Sequence, residues 1–308
     1  MKKLPIIIDC DPGGDDAMTL LTLFKNKELF DIRYICSSAG NTPIDVTTNN
    51  VKFFASRFFN GVKVGRGVGK ALKKVNPETA EDVFGVSGLG FYSIPQIDYL
   101  CDEDGIAGMR DAIVKSEEKI TIIALGPHTN IAKLLQDYPE VKENIAEIYT
   151  MIGSIEGIGN VKPYSEFNAY FDPDAFKIVA DSGIKLTINP MELGHNSRLK
   201  KSSFIDRTYS SDVQEMITKI IDGMYEFRDP TLVSLFDVHS LLAILHPEFY
   251  DFINCDVNVT LDGVSDGQCF LPNNPSSKHR YQVLKDADSC NEFILKELFS
   301  LSLDKPMF

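Results

Sequence analysis

Short apolar runs alternate along this chain with segments whose apolar residues recur at helical spacing, and Gly, Pro, Asn and Asp mark the joints between them. The first run, residues 6–8, delivers Asp9 and Asp11, and a Pro-Gly-Gly turn hands over to an apolar-periodic helix at 16–26. The same reading places strands at 31–37, 62–65, 119–125, 145–151 and 184–188. Helices are expected at 45–59, 105–116 and 131–136, and again from Asp172-Pro173 to Ser182, where Asp caps and Pro sits in the first turn. The run ITIIAL at 120–125 is continuously apolar, as a strand covered on both faces should be. This alternation predicts an α/β fold: a mostly parallel central sheet with helices on both faces. In such sheets the ligand crevice lies beyond the carboxyl ends of the strands, which is where Asp9, Asp11, Asn41, Leu125 and Met151 fall.

The final third reads as more helical, with helices at 211–225, at 232–245 beginning near Asp237, and at 287–298. Residues 257–261 and 268–271 read as an antiparallel hairpin of edge strands. With 308 residues and 44% hydrophobic content the chain can bury a large core, and no repeat or linker divides it, so residues 1–308 are expected to form a single domain. Loops around 66–96 and 262–280 are long enough to carry function.

A formal net charge of −13 argues against a nucleic-acid polymer or an anionic membrane as partner, since both need clustered Lys and Arg. The basic run at 70–74 is most simply a solvated loop. Behind Lys2 and Lys3 the apolar stretch ends at Asp9, too short for a signal peptide or a membrane span, and a cytoplasmic enzyme is the expectation. Six cysteines without a C-x-x-C pair read as reduced thiols, with no zinc site. Cys10 sits among carboxylates that disfavour a thiolate and is a poor nucleophile.

The chemistry concentrates in the stretch LPIIIDCDPGGDDAMTLL, where Asp9, Asp11, Asp15 and Asp16 meet at one turn. Like charges so close raise one another's pKa unless a cation or hydrogen-bond donors compensate, and carboxylate oxygens suit hard divalent ions. Asp15 or Asp16 could instead simply cap the helix. Capping leaves Asp9 and Asp11 unexplained, because they leave the strand before the turn.

DCDPGGDDAMTLL resembles the amino-terminal signature of the nucleoside hydrolases, metal-dependent N-ribohydrolases. The resemblance continues in order through Gly40-Asn41, Ser87-Gly88-Leu89-Gly90, Leu125-Gly126-Pro127-His128-Thr129-Asn130, Gly159-Asn160, Glu166-Phe167-Asn168 and Asp172-Pro173. It implies the Rossmann-like fold of that family and calcium-dependent hydrolysis of ribonucleosides to free base and ribose. By position, Asp11, Asp16, the Leu125 carbonyl and Asp237 would hold Ca2+, with Asp11 as the base that activates water. Asp15, Asn41, Asn160, Glu166, Asn168 and Asp237 would hold the ribose hydroxyls, Met151 would line the same cavity, and Asp9 would support the ligands from behind. Family analogy also implies a homodimer or homotetramer.

The chain departs from the family's pattern in two places. Phe236 precedes Asp237, and Phe84 stands in the Gly-rich loop, where many relatives carry histidines that contact or protonate the leaving base. These two rings suggest an apolar, stacking base pocket, with Tyr225 as another candidate for activating the base. His239, two residues past Asp237, should point to a different face; His128 and His195 could approach the site, and His246 and His279 read as structural or solvated. For each histidine a non-catalytic role is favoured. The alternatives are hydrolysis of another ribosyl compound, such as a modified or nicotinamide-type riboside, and a catalytically weak riboside-binding relative. An aspartyl-phosphate phosphatase fits poorly, because Pro12 and two glycines follow Asp11.

Overall fold

The computed structural model describes residues 2–75, 77–155, 157–205, 211–226, 229–301 and 303. Its strands are β1 (Leu4–Cys10), β2 (Phe30–Ser37), β3 (Val64–Arg66), β4 (Cys101–Asp102), β5 (Ile120–Ala124), β6 (Ile145–Met151), β7 (Leu186–Asn189), β8 (Leu199–Lys200), β9 (Leu232–Val233), β10 (Tyr250–Asn254), β11 (Asn258–Val259), β12 (Cys269–Phe270) and β13 (Arg280–Leu284). Nine of these form one sheet in the order β10-β13-β7-β6-β5-β1-β2-β3-β4. Only the β10–β13 pairing in it is antiparallel.

β1 is the pivot. The chain builds outward from it through β2, β3 and β4 on one side, then returns to lay β5, β6 and β7 on the other. The reversal opens a crevice between the carboxyl ends of β1 and β5, the place where such sheets bind ligands. Pairing of Asp9 with Ala124 and of Cys10 with Ser37 brings the ends of three strands level.

Alternation along β1 feeds two cores. Ile6, Ile8 and Cys10 pack on the face covered by the helices Gly14–Lys25, Ile44–Phe58, Asp212–Gly223, Val238–Leu245 and Ala287–Phe299. Ile7 joins the opposite core under the helices Gly105–Val114, Thr129–Asp137 and Pro173–Asp181. Both faces of β5 are therefore covered, which explains its unbroken run of buried residues.

The expected hairpin does form, with Asn258 opposite Phe270 and Val259 opposite Cys269, but as a separate two-stranded ribbon. The sheet's true edge on that side is β10 with β13. Of the helix expected over 232–245, the start near Asp237 holds, at Val238, while residues 232 and 233 are outside it because Leu232 and Val233 pair with Lys200 and Leu199. The basic loop is less solvated than expected, since Lys74 pairs with Asp266 at 2.7 Å and lies over the Tyr170 ring. All six cysteines are unpaired, and burial pushes the Cys10 thiol well above its ordinary range. Among the described residues no helix is long and apolar enough to cross a membrane.

Candidate active site

The turn after β1 gathers its carboxylates through backbone geometry. Asp16, in the first turn of the helix Gly14–Lys25, accepts the N–H groups of Gly13 at 3.0 Å and Asp11 at 3.2 Å. It is thus a helix cap as well as a member of the cluster. Asn41, in the turn after β2, reaches the same place: its backbone N–H donates to Asp11 Oδ2 at 2.7 Å, and its amide donates to Asp16 Oδ2 at 3.1 Å. The close approach depends on Gly40 and Gly126, since a Cβ on either would run into the Asp11 carboxylate.

Asp237, which precedes the helix Val238–Leu245, arrives from the far end of the chain. Carboxylate oxygens of Asp15, Asp16 and Asp237 all lie within 4.8 Å of one another. Asp11 sits beside this trio, with Oδ1 buried and without a hydrogen-bond partner. The Leu125 N–H is fixed by the Asp9 carbonyl at 2.8 Å, and its own carbonyl accepts the Asn168 amide at 2.9 Å. Asp9 stands behind, receiving the Asn130 amide at 2.7 Å.

Burial, reinforced by neighbouring carboxylates, pushes Asp15 up to about 8 and holds Asp11 and Asp237 well above the usual carboxylate range. Asp16 rises less, to about 6, because burial is opposed by the Gly13 and Asp11 N–H groups. Relative to an aspartate in water, ionising Asp15 there costs on the order of 5 kcal/mol. An exposed ion pair contributes only about 1 kcal/mol, so a close, buried cation is needed to compensate. No Lys or Arg lines the adjoining cavity among the described residues. A partnerless buried oxygen and an all-oxygen donor set fit a hard divalent ion.

The cavity, of about 370 Å³, opens directly above. Asp15, Asn41, Leu125, Met151, Asn160, Glu166, Asn168 and Asp237 all contribute to its wall, whereas Asp11 and Asp16 lie buried beneath. The Glu166 carboxylate accepts N–H groups from Gly153, Asn168 and Ala169 at 2.8, 2.8 and 3.1 Å. Burial outweighs those donors and pushes it up to about 7.

Phe84, Phe167, Tyr225 and Phe236 supply aromatic surface, and Glu78, Asp82 and Glu226 add three carboxylates that sequence reasoning missed. Glu78 and Asp82 come from the long connection that follows β3, Asp82 from its short helix Glu81–Phe84; their only signal was that connection's length. Phe227 lies outside the described residues.

The histidines divide. His239 points away as expected, buried between the Ser197 and Tyr250 hydroxyls at 2.8 Å each. His128 is buried on Thr150 Oγ1 at 2.7 Å. His246 stacks on Phe249, and His279 accepts the Leu186 N–H. His195 alone lines the cavity.

Residues 6–293 match the family model described as inosine-uridine preferring nucleoside hydrolase. The chain is 31% identical over 268 residues to the pyrimidine-specific ribonucleoside hydrolase RihA of Salmonella newport (strain SL254), covering 84% of this chain and 85% of that one. A solved plant nucleoside hydrolase superposes with a TM-score of 0.89 at 22% identity, over 97% of this chain and 100% of that one. The purine-preferring ribonucleoside hydrolase from Gardnerella vaginalis gives 0.86 at 22% identity, over 96% and 98%. At such identity these two structures speak for the fold.

Proposed function

The chain belongs to the inosine-uridine preferring nucleoside hydrolase family and is an N-glycosyl hydrolase of ribonucleosides; from that premise we propose that its buried carboxylates hold calcium and its cavity a free ribonucleoside. The supporting observation is the cluster of Asp11, Asp15, Asp16 and Asp237, drawn from both ends of the chain and open to a cavity of nucleoside size. Asp11, Asp16, the Leu125 carbonyl and Asp237 are the proposed Ca2+ ligands. When bound, the ion supplies water activation and a fixed hold on ribose oxygens.

The chain's own groups do the rest. Asp11 takes the proton of the attacking water. Asp15, Asn41, Asn160, Glu166, Asn168 and Asp237 bind the ribose hydroxyls, while Met151 packs against the sugar. Carboxylates beneath the ring stabilise the positive charge that develops at C1′ as the N-ribosidic bond stretches. A 2′-deoxy sugar leaves buried polar groups unpaired and is rejected.

The wall carries six carboxylates, those of Asp15, Glu78, Asp82, Glu166, Glu226 and Asp237, and no Lys or Arg among the described residues. That charge disfavours phosphorylated substrates, so free nucleosides are preferred to nucleotides. Family analogy supports a homodimer or homotetramer and a cytoplasmic setting, and we read residues 1–308 as one domain because the site needs both ends of the chain. Reducing-sugar release from a panel of ribonucleosides and their 2′-deoxy counterparts tests the reading. Ribose should appear from the former alone, and release from none of them sinks it.

A further inference from the structure

The geometry points to His195 as the general acid that protonates the departing base, an assignment that rests on the hydrolase reading and adds a residue to it. Cleavage leaves an electron pair on a base nitrogen, and natural nucleoside bases depart poorly unless a proton meets that charge. The residue before Asp237 is Phe236, a ring with no proton to give. The other four histidines do not line the cavity: His128 and His239 are fully buried on hydroxyl partners, His246 packs among rings, and His279 binds backbone.

His195 is half-buried in the cavity wall, at the end of the short helix Glu192–Asn196 that follows β7. Its ring meets Phe236 edge-on, with centroids 5.3 Å apart and planes at 74°. Phe236 is itself pinned, since its carbonyl accepts the Asn189 amide at 2.6 Å. Gly194 lets the Phe236 ring seat against the backbone, because a Cβ there would collide with it. The imidazole is therefore set beside Phe236, in the cavity wall that Asp15 and Asp237 also line.

Among the described residues the charged groups that share this cavity are acidic: Glu78, Asp82 and Glu226 with Asp15, Asp237 and Glu166, while Glu192 on the same short helix accepts the Ser154 hydroxyl at 2.7 Å. In the step, the C1′–N bond breaks with its electron pair passing into the base, and the base takes the proton from His195. Water closes on C1′ and gives a proton to Asp11; return of a proton to His195 through solvent resets the site.

The test compares leaving groups in wild type, His195→Ala and His195→Asn, using inosine and uridine beside p-nitrophenyl β-D-ribofuranoside, whose phenolate departs without protonation. Both variants should lower kcat on the nucleosides by about 100-fold or more, with KM changed little and the aryl riboside cleaved as fast as by wild type. An equal fall on both substrate types, or no fall on the nucleosides, overturns the assignment while leaving the hydrolase reading intact. Should wild type cleave none of the three compounds, the hydrolase reading falls and His195 falls with it. His195→Asn keeps a polar group of similar reach, and wild-type cleavage of the aryl riboside by both variants excludes a folding defect.

Discussion

Asn130 donates its side-chain amide to the Asp9 carboxylate at 2.7 Å, tying the turn after β5 to the end of β1. The same amide reaches the Ser37 carbonyl at 3.0 Å, and its oxygen receives the Val68 N–H at 2.8 Å. One side chain thus fixes the strand ends from which the acidic cluster is built. Thr129 does similar work, binding Asp172 at 2.7 Å.

Replacing Asn130 with Ala leaves buried Asp9 without its donor, and the other Asp9 oxygen is already unpartnered. Stability should drop by about 3 kcal/mol, the cost of stranding buried polar groups. Urea unfolding measures it, and a loss below about 0.5 kcal/mol, the range of ordinary surface changes, contradicts the bracing role.

Asp11→Ala should abolish turnover, by about 1,000-fold or more if the residue is both ligand and base, while the far-ultraviolet dichroism stays that of wild type. Retained activity removes Asp11 from its place as base.

Glu166 titrates near 7 because burial disfavours its charge. The ionised form is the stronger acceptor for a ribose hydroxyl. KM for a ribonucleoside should therefore fall as pH rises through about 7, and Glu166→Gln should flatten that dependence and raise KM. A wild-type KM that is level across this range contradicts the ribose contact.

Burial pushes His239 down to about 3 in the folded chain, below its ordinary 6.5. Below pH 6.5 the unfolded chain takes up a proton that the folded chain refuses, so this residue costs stability as pH falls toward 3. Wild type should lose about 2 kcal/mol more than His239→Gln between about pH 7 and pH 5. Equal losses in the two proteins contradict a buried neutral imidazole.

Much of this was legible in the sequence because burial on both faces writes unbroken apolar runs, as in β1 and β5, and because aspartates interrupting such a run have few structural excuses. The sheet's outer edge was not. β10 reads YDFIN and β13 reads RYQVL, short half-exposed strands whose place depends on β13 pairing with β7 across nearly a hundred residues. The wall of the cavity was legible only in part: Asn160, Glu166 and Asn168 sit in recognisable motifs, whereas Glu78, Asp82 and Glu226 look like ordinary loop acids. His195 could be placed only as a histidine able to approach the site, with a non-catalytic role favoured, because nothing in its neighbourhood announces that Gly194 will admit the Phe236 ring and set the imidazole beside it.

Ribose release from uridine or inosine by chelator-treated protein, followed as Ca2+ is titrated back, tests the central claim most directly. Activity should vanish on chelation and return as about one ion per chain is bound, with no recovery in Asp237→Ala. Full activity after exhaustive chelation contradicts the claim that carboxylates from the two ends of the chain work by gripping a shared cation.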